Sequence, residues 1–350
     1  MSSQPHLAET EKINLPGQVP QPPKHKKPRK RLRYVLIGLL VVVLLGVGGA
    51  LAGGLYLRSV EKGIERVDAF DDVPEAERPQ KVATEARNIL LLGSDSRDPE
   101  NTGGSRSDTI IVAHLTADRS SAQLISIPRD TWVNVPKSKD GQHGGRDAKI
   151  NASYAWGGIP LVVQTVEKYT GVRIDNVAII DFAGFKEIVD ALGGIDVDIE
   201  QNFTSIHEPF RKFEKGMQHL DGAEALDYAR QRKQFADGDF ARIRHQQQVI
   251  RAILDKAATG GTLANPSKLT DFLEATADAV SVDKTMSIID TATQMRGLRS
   301  GNLTFLTNPT KGTGRVGSES VVFEDKAKAK ELYDAVKRDS VSEILSAAKK

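Results

Sequence analysis

The run from Tyr34 to Leu57 constrains this chain more than any other stretch, because its 24 consecutive residues carry no charged side chain and are rich in leucine, valine and glycine. About 20 predominantly apolar residues in a helix cross the roughly 30 Å hydrocarbon layer of a bilayer. Tyr34 and Tyr56 mark its two ends, where interfacial aromatics belong. The block immediately before it, residues 24–33, is almost wholly basic. By the positive-inside rule residues 1–33 face the cytoplasm and everything after residue 57 lies outside. A cleaved signal peptide is the competing reading, but its apolar region spans only about 7–15 residues. The sequence therefore predicts a single-pass signal-anchor. The basic block reads as an orientation signal touching anionic membrane lipid. Nothing downstream has the interleaved basic and aromatic pattern of a nucleic-acid groove, so nucleic acid is not an expected partner.

The net charge of +2 hides this asymmetry. The chain has no cysteine, which excludes disulfides, thiolate nucleophiles and cysteine-based zinc sites. An exported domain must then rest on its own core, which a domain of this size can supply. Residues 1–23 are polar and proline-rich, as in a disordered tail. Residues 58–86 are charged, contain Pro74 and Pro79, and read as a stalk between the anchor at 34–57 and one outer domain at 87–350.

Within that domain, Asn88 to Gly93 is a continuous apolar run that fits a buried strand. Thr109–Leu115 and Ala122–Ile127 read as two more strands, joined by the turn signal Asp118-Arg119-Ser120-Ser121. Residues 137–147 read as a mobile loop. Ile159–Tyr169 is helical in pattern and stops at Gly171. Asn176–Asp181 and the alternating Ile195–Ile199 are strands, with a helix from Phe182 to Leu192 between them. Further helices are expected over 221–230, 240–258, 266–279, 286–296 and 325–348, with a late strand at 303–306. Alternating strands and helices predict an α/β domain in α-β-α layers, a mostly β central sheet flanked by helices.

Arginines and aspartates recur in three places. The first holds Asp95, Arg97, Arg106 and Asp108; the second is Arg129-Asp130; the third runs through Arg230, Arg232, Asp239, Arg242 and Gln246. Asp95 follows a strand end, where side chains of layered α/β folds open into the ligand crevice. Asp108 precedes the next strand, so the two share a rim if the strands are neighbours. Two carboxylates with a phosphate suit a hard cation such as magnesium. Arginine donates to phosphate through a planar, permanently charged fork. Asp239, Arg242 and Gln246 fall at helical spacing on one face. Each piece also has a plain structural reading: Asp95 as a turn residue, Arg129-Asp130 as a local ion pair, Arg230 and Arg232 as a helix end, Asp239 as an N-cap. Together they point to a pyrophosphate held with a divalent metal.

The motifs Gly93-Ser94-Asp95-Ser96-Arg97, Arg106-Ser107-Asp108-Thr109, Ile127-Pro128-Arg129-Asp130, Lys149-Ile150-Asn151-Ala152, Asp181-Phe182-Ala183-Gly184-Phe185, Tyr228-Ala229-Arg230-Gln231-Arg232 and Asp239-Phe240-Ala241-Arg242 resemble, in order, the LytR–CpsA–Psr family. The resemblance implies an enzyme that moves a glycopolymer from a polyprenyl-pyrophosphate carrier onto peptidoglycan. The acceptor it implies is the C6 hydroxyl of N-acetylmuramic acid, and the product is a phosphodiester. It places the domain outside the cell membrane of a Gram-positive-type envelope. It assigns Asp95 and Asp108 to Mg2+ (or Mn2+), and Arg106, Arg129, Arg230, Arg232 and Arg242 to the pyrophosphate. It matches Asp239 and Gln246 to supporting or head-group positions and Lys149 to a cationic site, with Arg97 beside Asp95. Asp95 and Asp130 are the candidate general bases. The lipid tail needs an apolar slot, for which Phe182, Phe185, Ile188 and Val189 on one helix and Leu161, Val162 and Val166 on another are candidates; the same residues also read as ordinary core. A non-enzymatic sensor of prenyl-pyrophosphate lipids and a transcription attenuator are the alternatives. A serine hydrolase is disfavoured, because Gly93-Ser94-Asp95-Ser96 lacks the Gly-x-Ser-x-Gly elbow.

Overall fold

Leu90 and Leu92 point to one side of a strand and Ile89 and Leu91 to the other, and all four are covered. A strand apolar on both faces must lie inside a sheet covered on both sides. The computed structural model, which describes residues 58–94, 107–259, 261, 265–295, 298 and 300–347, builds the domain around that strand. The anchor expected at 34–57 lies outside the described residues, as do Asp95, Arg97 and Arg106. Among the described residues no helix is long and apolar enough to cross a membrane.

The central sheet has seven strands: β1 (Arg66–Val67), β2 (Arg87–Ser94), β3 (Ser107–Leu115), β4 (Ala122–Ser126), β7 (Asn176–Asp181), β12 (Val280–Asp283) and β13 (Leu303–Thr307). Their order is β1-β12-β7-β2-β3-β4-β13. It is mixed: β2 pairs parallel with β7 but antiparallel with β3. Four smaller pairs surround it. These are β5 (Trp132–Val135) with β6 (Arg146–Lys149), β8 (Ile195–Ile199) with β11 (Gly216–Leu220), β9 (Phe203–Thr204) with β10 (Lys212–Phe213), and β14 (Thr310–Val316) with β15 (Glu319–Glu324).

Helix α1 (Ala152–Thr170) lays Ile159, Val162 and Val166 on one sheet face against Leu90, Leu92, Ile110 and Val112. On the other face Ala277, Met286 and Val282 meet Ile89 and Ala178. A separate core joins α2 (Phe182–Ala191), α3 (Gly222–Arg230) and α4 (Asp239–Thr259) to β8 and β11 through Val189, Val197, Tyr228 and Val249. Further along the chain come α5 (Pro266–Ala279), α6 (Ile288–Met295), α7 (Lys326–Lys337) and α8 (Val341–Ala347). The layered α/β expectation is met: a mostly β sheet lies between helices.

Local chemistry explains the helix starts. Asp181 leaves β7 in extended conformation and its carboxylate accepts from the Gly184 N–H at 2.7 Å, which caps α2. Asp221 and Glu224 form a reciprocal capping box on α3. Replacing Asp181 with alanine is expected to cost about 1 kcal/mol, read as a lowered urea midpoint with unchanged slope.

Three expectations change. Residues 58–86 do not form a stalk. Val67, Ala69 and Val73 are buried in the main core, and β1 pairs with β12. Arg78 donates from Nε and Nη2 to Glu167 of α1, the latter at 2.8 Å, and Glu167 also accepts from the Ile174 N–H. Of the charges that suggested a linker, Arg78, Lys81, Asp68, Asp71 and Asp72 pair with later residues of the domain. The single C-terminal helix becomes two, because Asp339 takes a left-handed conformation (φ 56°). Its carboxylate there meets His114 and accepts from the Ala117 N–H, both at 2.9 Å. The loop at 137–147 ends in strand: Arg146 and Asp147 already pair with β5.

Candidate functional site

β4 ends at Ser126, and the chain turns through Ile127-Pro128-Arg129-Asp130. Three backbone bonds pin that turn: the Thr131 N–H to Pro128 O at 3.0 Å, the Asn151 N–H to Arg129 O at 3.1 Å, and the Val322 N–H to Asp130 O at 2.8 Å. The turn is thus tied to itself, to the start of α1 and to β15. Arg129 and Asp130 are held by backbone geometry before their side chains do anything.

Asp108 is the second residue of β3, whose start is set by a bulge opposite Gly93 and Ser94. A Cβ on Gly93 would lie 2.8 Å from the Thr109 Cβ, so only glycine lets β2 approach here. Arg129 is 8 % exposed, and its guanidinium donates to Asp108. Its Nε lies 4.0 Å from Asp130 and 3.9 Å from Asp239. Arg242, one helical turn after Asp239 on α4, is 2.6 Å from the same Asp239 oxygen. Lys149, at the end of β6, stands 3.6 Å from Asp130 and 3.8 Å from Glu319 of β15. Six residues from three distant sequence motifs and β6 therefore form one continuous network, with Glu319 at its edge.

Of the two readings of Asp239, the N-cap gives way: the residue sits in the first turn, and neither carboxylate oxygen makes a hydrogen bond of normal geometry. The carboxylate serves as counter-charge to two arginines. Burial raises its pKa above the ordinary 3.8 despite Arg242 and Arg129. Burial likewise lowers the pKa of Arg242 against the pull of Asp239. Burial opposes the charge on Arg129 too, but Asp108, Asp130 and Asp239 outweigh it and raise its pKa. The charges are thus costly to bury and are held in place by one another.

The raised pKa of Asp239 carries a pH signature. The native carboxyl holds its proton to higher pH than the unfolded one. Its contribution is therefore fully present below about pH 3.8 and is lost as pH rises through the native value. Relative to Asp239→Asn, the wild type is expected to lose stability across that window when urea midpoints are followed from acid to neutral pH. A relative gain would overturn the assignment.

A cavity of about 620 Å3 opens beside this network, lined among others by Arg129, Asp130, Lys149, Arg232 and Glu319. Arg232 lies close enough to act electrostatically on both Asp239 and Arg242. Arg230 is not among the residues lining this cavity: it is exposed, with its guanidinium 4.9 Å from the Phe182 ring centre. Gln246 is half-buried on α4. Phe185 packs into the α2–α3–α4 core with Val189, while Leu161, Val162 and Val166 belong to the main core under the sheet. These faces of the two helices thus contribute to different cores. His245, three residues after Arg242, turns away into Phe203, Tyr228 and Phe235, and burial lowers its pKa to about 4. It is a neutral core residue.

The described residues contain no cluster of three or more acidic, histidine or cysteine side chains arranged for a metal. Asp108 is the one described member of the expected carboxylate pair. Its side chain is 28 % exposed, so an oxygen remains available beside the Arg129 contact, and a carboxylate suits a hard cation.

The LytR_cpsA_psr family model matches residues 55–338. The chain belongs to this family. The polyisoprenyl-teichoic acid–peptidoglycan teichoic acid transferase TagU of Bacillus cereus is 36 % identical over 241 residues, 68 % of this chain and 75 % of that protein. The corresponding TagV of Bacillus subtilis is 34 % identical over 252 residues, 69 % of this chain and 62 % of TagV. The crystal structure of B. subtilis TagV superposes with a TM-score of 0.62 at 30 % identity, covering 73 % of this chain and 97 % of that one. For a LytR–CpsA–Psr domain the site has three features that motif reading did not single out: Trp132, Trp156 and Glu319 line the cavity. Trp132 lies two residues beyond Asp130, and Trp156 precedes a Gly-Gly pair, so both had a local signal. Glu319 had none, because only the fold brings β15 to the site.

Proposed function

We propose that the chain is a membrane-anchored transferase that moves a glycopolymer from a polyprenyl-pyrophosphate carrier to the C6 hydroxyl of an N-acetylmuramic acid in peptidoglycan, leaving a phosphodiester. The observation that carries this reading is the partly buried Asp108–Arg129–Asp239–Arg242 chain beside a cavity that also holds Lys149 and Arg232. Family membership and the activity named for the TagU relative support it. So does the apolar run at 34–57, whose basic flank fits a domain at the outer face of the membrane.

Phosphoryl transfer depends on positioning and charge neutralisation more than on covalent help from the protein. Arg129, Arg232 and Arg242 surround the phosphates with fork-shaped donors, and Lys149 adds a point charge. Arg106, Arg230 and Gln246 are assigned to the same anion by the family pattern, with Arg97 beside Asp95. Asp95 and Asp108 would hold magnesium or manganese, which supplies charge neutralisation at the phosphate oxygens. Asp130, on the cavity wall, is placed to accept the proton of the acceptor hydroxyl. That oxygen bonds to the phosphorus next to the sugar, the bond to the bridging oxygen breaks, and polyprenyl phosphate leaves.

The test uses the full chain in detergent with a lipid-linked donor, a peptidoglycan oligomer and magnesium, followed by mass analysis of the oligomer. A product heavier by the glycosyl phosphate is expected. Asp108→Ala should abolish that product while lipid binding persists. Binding without any product from the wild type would favour a sensor and sink the proposal.

A further inference from the structure

The chain contains two tryptophans, and both border the same cavity. Trp132 opens β5 directly opposite Lys149 in the β5–β6 pairing. Trp156 closes the first turns of α1. The helix breaks immediately after it: Gly157 and Gly158 leave helical geometry, Gly158 with φ 61° and ψ −155°, and Pro160 starts the helix again. That break separates the short segment carrying Trp156 from the long part of α1 that serves the core. The His143 ring stacks on Trp156 at 5.9 Å and 13°, and the Arg146 guanidinium lies 5.1 Å from its centre. The indole is thereby fixed in orientation while remaining part of the wall.

The cavity is larger than a phosphate requires. Its volume of about 620 Å3 is in the range that takes a whole small-molecule ligand. Its wall is also divided chemically. Arg129, Lys149 and Arg232 supply cationic donors, Asp130 and Glu319 supply carboxylate acceptors, and the two indoles supply flat apolar surface. A sugar ring has the matching pattern, with a face of C–H groups and a rim of hydroxyls. The C–H face meets the electron-rich face of an aromatic ring, and the hydroxyls bond to carboxylates and ammonium.

We propose that Trp132, Trp156, Asp130, Lys149 and Glu319 form a saccharide subsite for the N-acetylhexosamine that adjoins the transferred phosphate. The subsite rests on the transfer reading and adds to it a sugar-recognising wall. The same ring chemistry arrives from the acceptor glycan or from the first sugar of the donor.

The two tryptophans make the full chain its own reporter, because all its indole fluorescence arises at this wall. Three probes are titrated: a phosphate-free peptidoglycan disaccharide, a lipid-free N-acetylhexosamine diphosphate, and inorganic pyrophosphate. Saturable change with the disaccharide identifies the acceptor; change only with the sugar diphosphate, beyond that from pyrophosphate, identifies the donor. Trp132→Ala and Trp156→Ala are each expected to weaken the responding saccharide about tenfold or more, read from the remaining indole, with pyrophosphate binding unchanged. Trp132→Phe and Trp156→Phe keep a flat ring and should restore most of the affinity, which a merely folding-defective site would not show. No indole response to either saccharide, or wild-type affinity in both alanine variants, overturns the subsite. Should transfer proceed normally in that case, the proposed function survives without it. Should saccharide bind but no transfer occur, the function fails and the subsite stands.

Discussion

Replacing Arg129 with alanine is expected to lower the rate of glycopolymer transfer about 100- to 1,000-fold, by analogy with loss of one preorganised donor to a developing anion. The residue is central in the literal sense. It is 8 % exposed, donates to Asp108, and has Asp130 and Asp239 within 4.0 Å and 3.9 Å of its Nε. Three carboxylates orient one guanidinium, so in the proposed reaction its remaining donors would meet a phosphate without first being reorganised. The Arg129 Nε has no hydrogen bond of its own, although it is buried. A buried donor left in that condition is costly, and an anion entering the site would satisfy it. Arg129→Lys keeps the charge but loses the fork, and should recover only a minor part of the rate. Single-turnover transfer by the three proteins, normalised to folded protein by circular dichroism, checks this. Transfer by Arg129→Ala near the wild-type rate would remove Arg129 from the chemistry.

The second large effect concerns stability. Glu167→Ala is expected to destabilise the domain by about 3–5 kcal/mol, because it leaves the largely buried Arg78 with only the exposed Glu75, 3.7 Å away, as counter-charge. The side chains of Glu167 and Arg78 are 3 % and 9 % exposed, and the pair is bidentate. The variant also orphans the Ile174 N–H, which Glu167 accepts at 2.8 Å. Glu167→Gln retains an acceptor oxygen and should cost less. Urea unfolding measures the loss, and limited proteolysis locates it. Residues 58–86 should resist cleavage in the wild type and become accessible in Glu167→Ala. Ready cleavage there in the wild type would restore the linker reading.

The local rules of the fold were legible in the sequence. The apolar run at Asn88–Gly93, the alternation of Ile195–Ile199 and the Asp181 and Asp221 helix starts each depend on neighbours a few residues away, and all appear where those patterns put them. The misses share a different cause. Residues 58–86 looked like a linker because their charges were counted without partners, and Arg78 finds its partner 89 positions later. Asp239 could be read as a cap or as one of the arginine–aspartate set, and only packing decides: two arginines claim its carboxylate. The apolar residues of α1 and α2 enter different cores, which their hydrophobic pattern alone does not tell apart. Joining Asp108, Arg129 and Asp239 into one site needed motif recognition, since no local pattern relates residues so far apart. Trp132 and Trp156 stood beside recognised motifs, but their shared cavity exists only once β5 and α1 are packed together.

Glu319 has a consequence for the order in which the molecule becomes competent. Ribosomes deliver Arg129, Asp130 and Lys149 well before β15 exists, yet β15 supplies Glu319 to the cavity and an amide that steadies the Asp130 carbonyl. Until β15 packs, the basin lacks that wall and the Asp130 carbonyl lacks its donor. The β14–β15 hairpin, 170 positions beyond Lys149 at Glu319, therefore both closes the basin and steadies the turn that carries Arg129.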